Sequence, residues 1–174
     1  MQVISMTKFA IISLSFAILG SCGDSLGPQA AGKGGFHAKY AVARNALEGG
    51  DYARASRSYQ RLITQAGPLA PRLQLEYAHA ELRAGNYGEA ARIAGTLAQG
   101  QSGAARGAAL AVQGTAQHEL GLALLAKGEI APGKAQLTQA SAALAEVLKA
   151  RDDLDPLGSM AGRRASIEAR LQKL

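Results

Sequence analysis

Three histidines and a short aspartate run are the residues of this chain best suited to metal or acid–base chemistry. His37, His79 and His118 lie about 40 residues apart, and none has a second His, Cys or carboxylate at metal-ligand spacing. The aspartates between positions 152 and 155 lack the glycine and the distal glutamate of a calcium loop. No GxSxG, HExxH, GxGxxG or phosphate-loop segment is present. We therefore expect no enzymatic activity, no bound metal and no cofactor.

The single cysteine, Cys22, follows an apolar segment near the start of the chain. Lys8 precedes the apolar run over residues 9–20. A helix of this length spans about 18 Å at 1.5 Å per residue, which is shorter than the roughly 30 Å hydrocarbon core of a bilayer. A positive start, a short apolar stretch and small residues at its end predict a signal peptide over residues 1–21, starting at Met1 or at Met6.

The segment Leu19-Gly20-Ser21-Cys22 resembles the lipobox of bacterial lipoproteins. In that family the cysteine thiol receives a diacylglycerol, the chain is cut before the cysteine, and the new amino group is acylated. The resemblance implies a protein that is lipid-anchored at Cys22 in the bacterial cell envelope and faces the periplasm. Gly23 after the cysteine resembles outer-membrane sorting more than inner-membrane retention. A secreted protein with an ordinary signal peptide and no lipid is the alternative.

Residues 22–35 are rich in Gly, Pro and Ser and show no apolar period, which predicts a lipidated N-terminus followed by a flexible linker. Such a linker has a root-mean-square reach of roughly 20 Å. It lets the folded part stand away from the membrane.

The remaining chain contains a recurring turn. Gly50-Asp51-Tyr52 returns as Gly85-Asn86-Tyr87 and then as Gly128-Glu129-Ile130. Glycine ends a helix by taking positive φ, and Asp or Asn at the next position caps the following helix. Small or apolar residues recur at fixed offsets from each turn, namely Ala43, Ala55 and Leu62, then Ala78, Ala90 and Leu97, then Gly121, Gly133 and Ala140.

This pattern resembles the tetratricopeptide repeat family, whose units are helix-turn-helix pairs of 34 residues. The chain departs from the family where Lys39, Gln74 and Gln117 replace the large aromatic of each first helix. The resemblance implies an all-α fold, an α-solenoid of about three repeat-like units over residues 36–156. Residues 157–174 are predicted to form a C-terminal capping helix, or alternatively a helix that docks on a partner. The sequence predicts helices near 37–48, 51–66, 71–84, 87–99, 104–127, 131–151 and 158–173.

In tetratricopeptide domains the first helix of each pair lines a concave groove. The resemblance therefore implies a mixed apolar and basic groove, suited to an acidic protein or peptide partner. Its candidate residues are His37, Tyr40, Arg44, Arg72, His79, Arg83, His118 and Leu122.

The formal net charge of +6 is spread among acidic residues, so no nucleic-acid tract is present. The features together favour a membrane-anchored periplasmic scaffold for protein–protein interaction that assists assembly of an envelope machine such as a pilus or secretion system. An adaptor or regulator of cell-wall or polysaccharide enzymes is one alternative, and a secreted, non-lipidated repeat protein is another.

The lipidation hypothesis is tested by growing cells with radiolabelled palmitate. We expect the wild-type protein to incorporate label and the Cys22→Ala variant to incorporate none, because the chain has only one cysteine. Label retained by the variant would remove the lipoprotein interpretation.

Overall fold

The computed structural model describes residues 35–174, apart from the side chain of Asp152. The predicted signal peptide, Cys22 and the linker up to residue 34 lie outside the described residues. The described part is all-helical, with seven α-helices, two short 3₁₀ turns and no strand. The helices are α1 (Phe36–Glu48), α2 (Tyr52–Ile63), α3 (Ala70–Arg83), α4 (Tyr87–Gln99), α5 (Gly103–Ala126), α6 (Ile130–Ala150) and α7 (Ser159–Leu171).

Each of the seven predicted helices is found, and the bounds differ by no more than three residues. The largest difference is at the end of α2, which stops at Ile63 instead of residue 66. A 3₁₀ turn over Gly67–Leu69 follows, and it contains Pro68. Because proline has no backbone N–H and constrains the residue before it, α2 cannot run on into α3.

The three recurring turns have the same backbone geometry. Gly50, Gly85 and Gly128 have φ values of 81°, 81° and 80°. In each turn the N–H of the residue after the glycine donates to the carbonyl five residues earlier, at 2.9, 2.9 and 3.0 Å. This is the Schellman arrangement, which requires a left-handed residue that glycine adopts without a Cβ clash. The repeated sequence motif therefore encodes one repeated physical turn.

The residues that follow these glycines behave differently from one another. The Asp51 side chain accepts a hydrogen bond from the Arg54 backbone N–H at 3.1 Å, as an N-cap should. The prediction that Asn86 caps α4 with its side chain is wrong, because its Nδ2 donates to Glu81 Oε2 at 2.6 Å instead. Glu129 makes no side-chain cap either.

Packing follows the chain order, with each helix against the next and α3 also against α5. The small and apolar residues that recur around the three turns are all buried. The buried apolar side chains form four clusters that succeed one another from the α1–α2–α3 contact to the α6–α7 contact. The core is thus distributed along the molecule and consists mostly of alanine, leucine, isoleucine and valine.

Helices α5 and α6 approach each other most closely at glycines. A Cβ at Gly121 would lie 2.8 Å from Leu137 Cδ2 and 3.1 Å from the Gly133 carbonyl oxygen. A Cβ at Gly114 would lie 2.9 Å from Leu144 Cγ. Because real Cβ atoms do not tolerate contacts of this length, the two backbones can pack this closely only where glycine stands.

The last helix, α7, packs on α6 through Ile167, which is fully buried among leucines and an alanine of α6. The start of α7 is fixed by Asp155, whose carboxylate accepts from the backbone N–H groups of Met160 and Ala161 at 3.0 and 2.9 Å. Asp155 acts here as a structural cap. Within residues 35–174, no helix combines the length and the apolar character needed to cross a membrane.

A matched pair of glycine substitutions tests the close contact between α5 and α6. Gly121→Ala introduces the clash with Leu137 and Gly133, whereas a Cβ at Gly162 in α7 meets no atom within 4 Å. Both changes gain a similar helix propensity, so we expect Gly121→Ala to be less stable than Gly162→Ala by about 1–3 kcal/mol. Urea unfolding followed by circular dichroism measures the difference in stability, and equal stabilities would contradict the close contact between α5 and α6.

Candidate functional site

An open pocket of about 470 Å³ lies between α1 and α3. Three of its six lining residues are among the groove candidates that the sequence indicates. The lining residues are Arg44, Leu47 and Glu48 from α1, and Glu76, His79 and Arg83 from α3.

Helical spacing explains how these side chains meet. Arg44 and Leu47 are three residues apart on α1, and on α3 the spacing from Glu76 to His79 to Arg83 is three and then four. Residues at such spacing share one face of a helix. The neighbouring face of α1 carries Ala43, which is fully buried against the rest of the core. The core contacts of α1 and α3 therefore aim the polar faces of both helices into the pocket.

Glu76 is the best-buried charged residue of the pocket, with only 12% of its side chain exposed. Its Oε2 accepts from the Tyr59 hydroxyl at 2.8 Å, and its Oε1 accepts from the Tyr40 hydroxyl at 3.0 Å. Arg72 Nε lies 3.4 Å from Oε1, and an Arg44 nitrogen lies 3.9 Å from Oε2. A carboxylate with this many donors is satisfied despite its burial.

The two tyrosines link α1 and α2 to this carboxylate of α3. Tyr59 of α2 is fully buried, and burial together with its hydrogen bond to Glu76 raises the pKa of its phenol far above the ordinary value. The same causes raise the pKa of Tyr40 on α1. Both hydroxyls therefore stay protonated and keep donating to α3.

The predicted groove arginines already have partners within the protein. Arg44 Nε donates to Glu48 at 2.6 Å. Arg83 donates to the Tyr52 hydroxyl at 2.9 Å, and its guanidinium carbon lies 5.3 Å from the centroid of the Tyr52 ring. The sequence interpretation of a mixed apolar and basic groove omitted Glu48 and Glu76. The pocket instead alternates positive and negative side chains around Leu47.

His79 is accessible to solvent within this pocket. Partial burial lowers the pKa of its imidazole, Glu76 opposes that shift, and Arg44 and Arg83 add to it. The ring is therefore neutral at pH 7, where it offers one N–H donor and one nitrogen acceptor to a ligand.

The structure does not bring His118 and Leu122 into the pocket. Arg163 of α7 donates to His118 Nδ1 at 2.7 Å and to Glu119 Oε1 at 2.6 Å. Leu122 packs against the cluster that α6 and α7 share. His37 is exposed in the first turn of α1, where its ring lies edge-on to Phe36 at 6.3 Å. Of the eight predicted residues, the pocket thus contains Arg44, His79 and Arg83, with Tyr40 and Arg72 bound to its Glu76.

Sequence reasoning missed Glu76 and Tyr59, which organise the pocket. One signal was present, because Glu76 stands four residues after Arg72 and three before His79, on the face already assigned to the groove. Among the described residues, no group of three or more His, Cys, Asp or Glu side chains could hold a metal ion. The arrangement can bind a charged and partly apolar ligand through ion pairs and hydrogen bonds.

Comparison with known proteins finds no matching family model, no matching curated protein and no matching solved structure.

The contact between His118 and α7 predicts a pH dependence of stability. Burial, followed by the neighbouring Arg163, lowers the pKa of His118, and Glu119 partly opposes this. A histidine that the fold keeps neutral stabilises the folded state at pH values above the ordinary histidine pKa of about 6.5. That contribution is lost as the pH falls below this value. The free energy of unfolding should therefore decrease as the pH is lowered from about 7.5 to about 5.5.

Urea unfolding at a series of pH values measures this effect. The His118→Gln variant keeps an acceptor for Arg163 but cannot titrate, so we expect its profile to be flatter than that of the wild type. Part of the slope remains because the pKa of His79 is lowered too. Superimposable profiles would show that His118 does not titrate against α7.

Proposed function

We propose that this protein is a lipid-anchored periplasmic interaction module built as a tetratricopeptide-like α-solenoid. The repeating units are the hairpins α1–α2, α3–α4 and α5–α6, and α7 caps the last of them. Three Schellman turns of equal geometry and buried small residues at matching offsets support this architecture. Packing of each helix on the next supports it as well.

The observation that carries the proposed binding function is the pocket between α1 and α3. It lies between the first helices of two successive hairpins, where the repeat family binds its ligands, and it combines Leu47 with charged side chains of both signs. We infer that it takes a peptide segment with an acidic side chain or a free carboxylate next to an apolar residue.

The exposed pair Arg44–Glu48 gives such a carboxylate a place to bind. Glu48 is 58% exposed and Arg44 is 46% exposed, and ion pairs of this kind contribute only about 0–1 kcal/mol. A carboxylate of the partner can therefore replace Glu48 beside the guanidinium at little cost. Glu76 stays in place beneath it because its hydrogen bonds to Tyr40 and Tyr59 are less accessible to water.

Among envelope processes, we infer a role in assembly of a pilus or secretion system. Such a role requires a module that is fixed to a membrane yet able to reach a partner. The predicted linker over residues 22–35, with a reach of roughly 20 Å, supplies that freedom.

Photocrosslinking in cells tests the pocket directly. A photoreactive phenylalanine analogue at His79 should crosslink a protein partner, which mass spectrometry identifies. We expect the double variant Arg44→Glu with Arg83→Glu to lose this crosslink, because both cations of the pocket are reversed. Its helical circular dichroism should stay at the wild-type value, since both side chains are exposed.

The matched control is Arg92→Glu with Lys134→Glu, which makes the same charge change at exposed positions of α4 and α6. The control should crosslink as the wild type does. Equal crosslinking from the pocket variant and the control would contradict the proposed binding site.

A further inference from the structure

Helix α2 exposes a row of arginines to solvent. Arg54, Arg57 and Arg61 are exposed, and their spacing of three and four places them on one face of the helix. Residues 52–63 contain no acidic side chain. We call these three residues the arginine face of α2.

These arginines differ from most others in the described part of the chain. Seven arginines lie within 4.0 Å of a carboxylate there, and Arg83 donates to a tyrosine hydroxyl instead. No carboxylate of residues 35–174 makes an ion pair with the guanidinium of Arg54, Arg57 or Arg61. The seven paired residues are Arg44, Arg72, Arg92, Arg106, Arg151, Arg163 and Arg164.

Lys39 extends the arginine face at the end where the chain enters α1. Its Nζ donates to Gln65 Oε1 at 3.3 Å, which shows that the start of α1 lies beside the end of α2. Lys39 and Arg61 both line an open pocket of about 570 Å³. Lys39 and Arg61 are therefore near residue 35, where the predicted linker ends, and Arg57 and Arg54 continue the face along α2 toward the Gly50 turn.

We propose that the arginine face of α2, together with Lys39, docks on the anionic phospholipid headgroups of the membrane that carries the protein. This inference rests on the proposed lipid anchor, which would hold the domain within roughly 20 Å of that surface. Guanidinium groups pair with phosphate oxygens in a bidentate manner. Clustered basic residues near a membrane are attracted by its negative surface potential.

The shape of this face favours headgroups over a protein partner. The other exposed residues of α2 are Ala53 and Gln60. Val42 of α1, 43% exposed, lies beside Lys39 and Arg61, and a single valine provides little apolar surface. Protein interfaces usually bury an apolar core beneath their polar rim, whereas contact with phosphates needs only exposed cations. Docking also leaves the α1–α3 pocket open, because α2 contributes no residue to it.

A fluorescence measurement tests this orientation on the full chain. The chain has no tryptophan, so Ala53→Trp places a single reporter beside Arg54 and Arg57 on the helix surface, and Thr138→Trp places a matched reporter at an exposed position of α6. Each protein is incorporated into vesicles that contain a dansyl-labelled lipid as energy acceptor. The vesicles consist either of phosphatidylcholine alone or of phosphatidylcholine with phosphatidylglycerol.

We expect energy transfer from the Ala53→Trp reporter to rise when phosphatidylglycerol is present, and transfer from the Thr138→Trp reporter to stay constant. The rise should disappear when Arg54→Gln, Arg57→Gln and Arg61→Gln are combined with the reporter. It should also disappear in roughly 0.5 M salt, which screens exposed charges. Circular dichroism checks that the triple variant keeps its helical content.

Equal transfer in both kinds of vesicle, or a rise that the triple variant retains, would overturn the proposal. The proposal would also be overturned if soluble polyglutamate shifted the reporter emission through the arginines and phosphatidylglycerol did not. That result would assign the face to an acidic protein. Failure of the lipid anchor is seen separately. A phosphatidylglycerol response without palmitate at Cys22 leaves the docking face in place and removes the anchor.

Discussion

Close approach of helix backbones at small residues is the constraint on which this structure depends. Gly121 and Gly133 leave no room for a Cβ between α5 and α6, and Ala43, Ala55 and Ala78 are fully buried at the earlier crossings. Small side chains at these crossings let neighbouring helices pack closely. Helices α1 and α3, which line the pocket, are joined by the hydrogen bond from the Tyr40 hydroxyl to Glu76.

The Glu76 cluster is the exception to this apolar packing. Burying a carboxylate is costly unless donors surround it, and here hydroxyls from α1 and α2 converge on a residue of α3. The hydrogen bonds of Tyr40 and Tyr59 to Glu76 join three helices and hold the Glu76 carboxylate in the pocket. Above it lies the exposed Arg44–Glu48 ion pair, and a pair of this kind contributes only about 0–1 kcal/mol. In the proposed function, the buried Glu76 carboxylate stays fixed while the exposed ion pair gives way to a bound peptide.

The pocket and the arginine face lie on different helices. The pocket belongs to α1 and α3, whereas the arginine face belongs to the solvent side of α2. In the proposed arrangement, one surface orients the domain at the membrane and the other remains available to a partner. This division follows from the hairpin, because its two antiparallel helices expose different faces once their small residues have packed together.

The sequence by itself determined the seven helices, the three Schellman turns and the burial of the small residues around them. These features are local, since they depend on helical periodicity and on glycine at positive φ. Tertiary structure alone decided that Asn86 binds Glu81, that Glu76 gathers two tyrosines, and that Arg163 covers His118. Tyr40 meets Glu76 across 36 residues and His118 meets Arg163 across 45. No local pattern records such contacts, because the relative positions of packed helices create them.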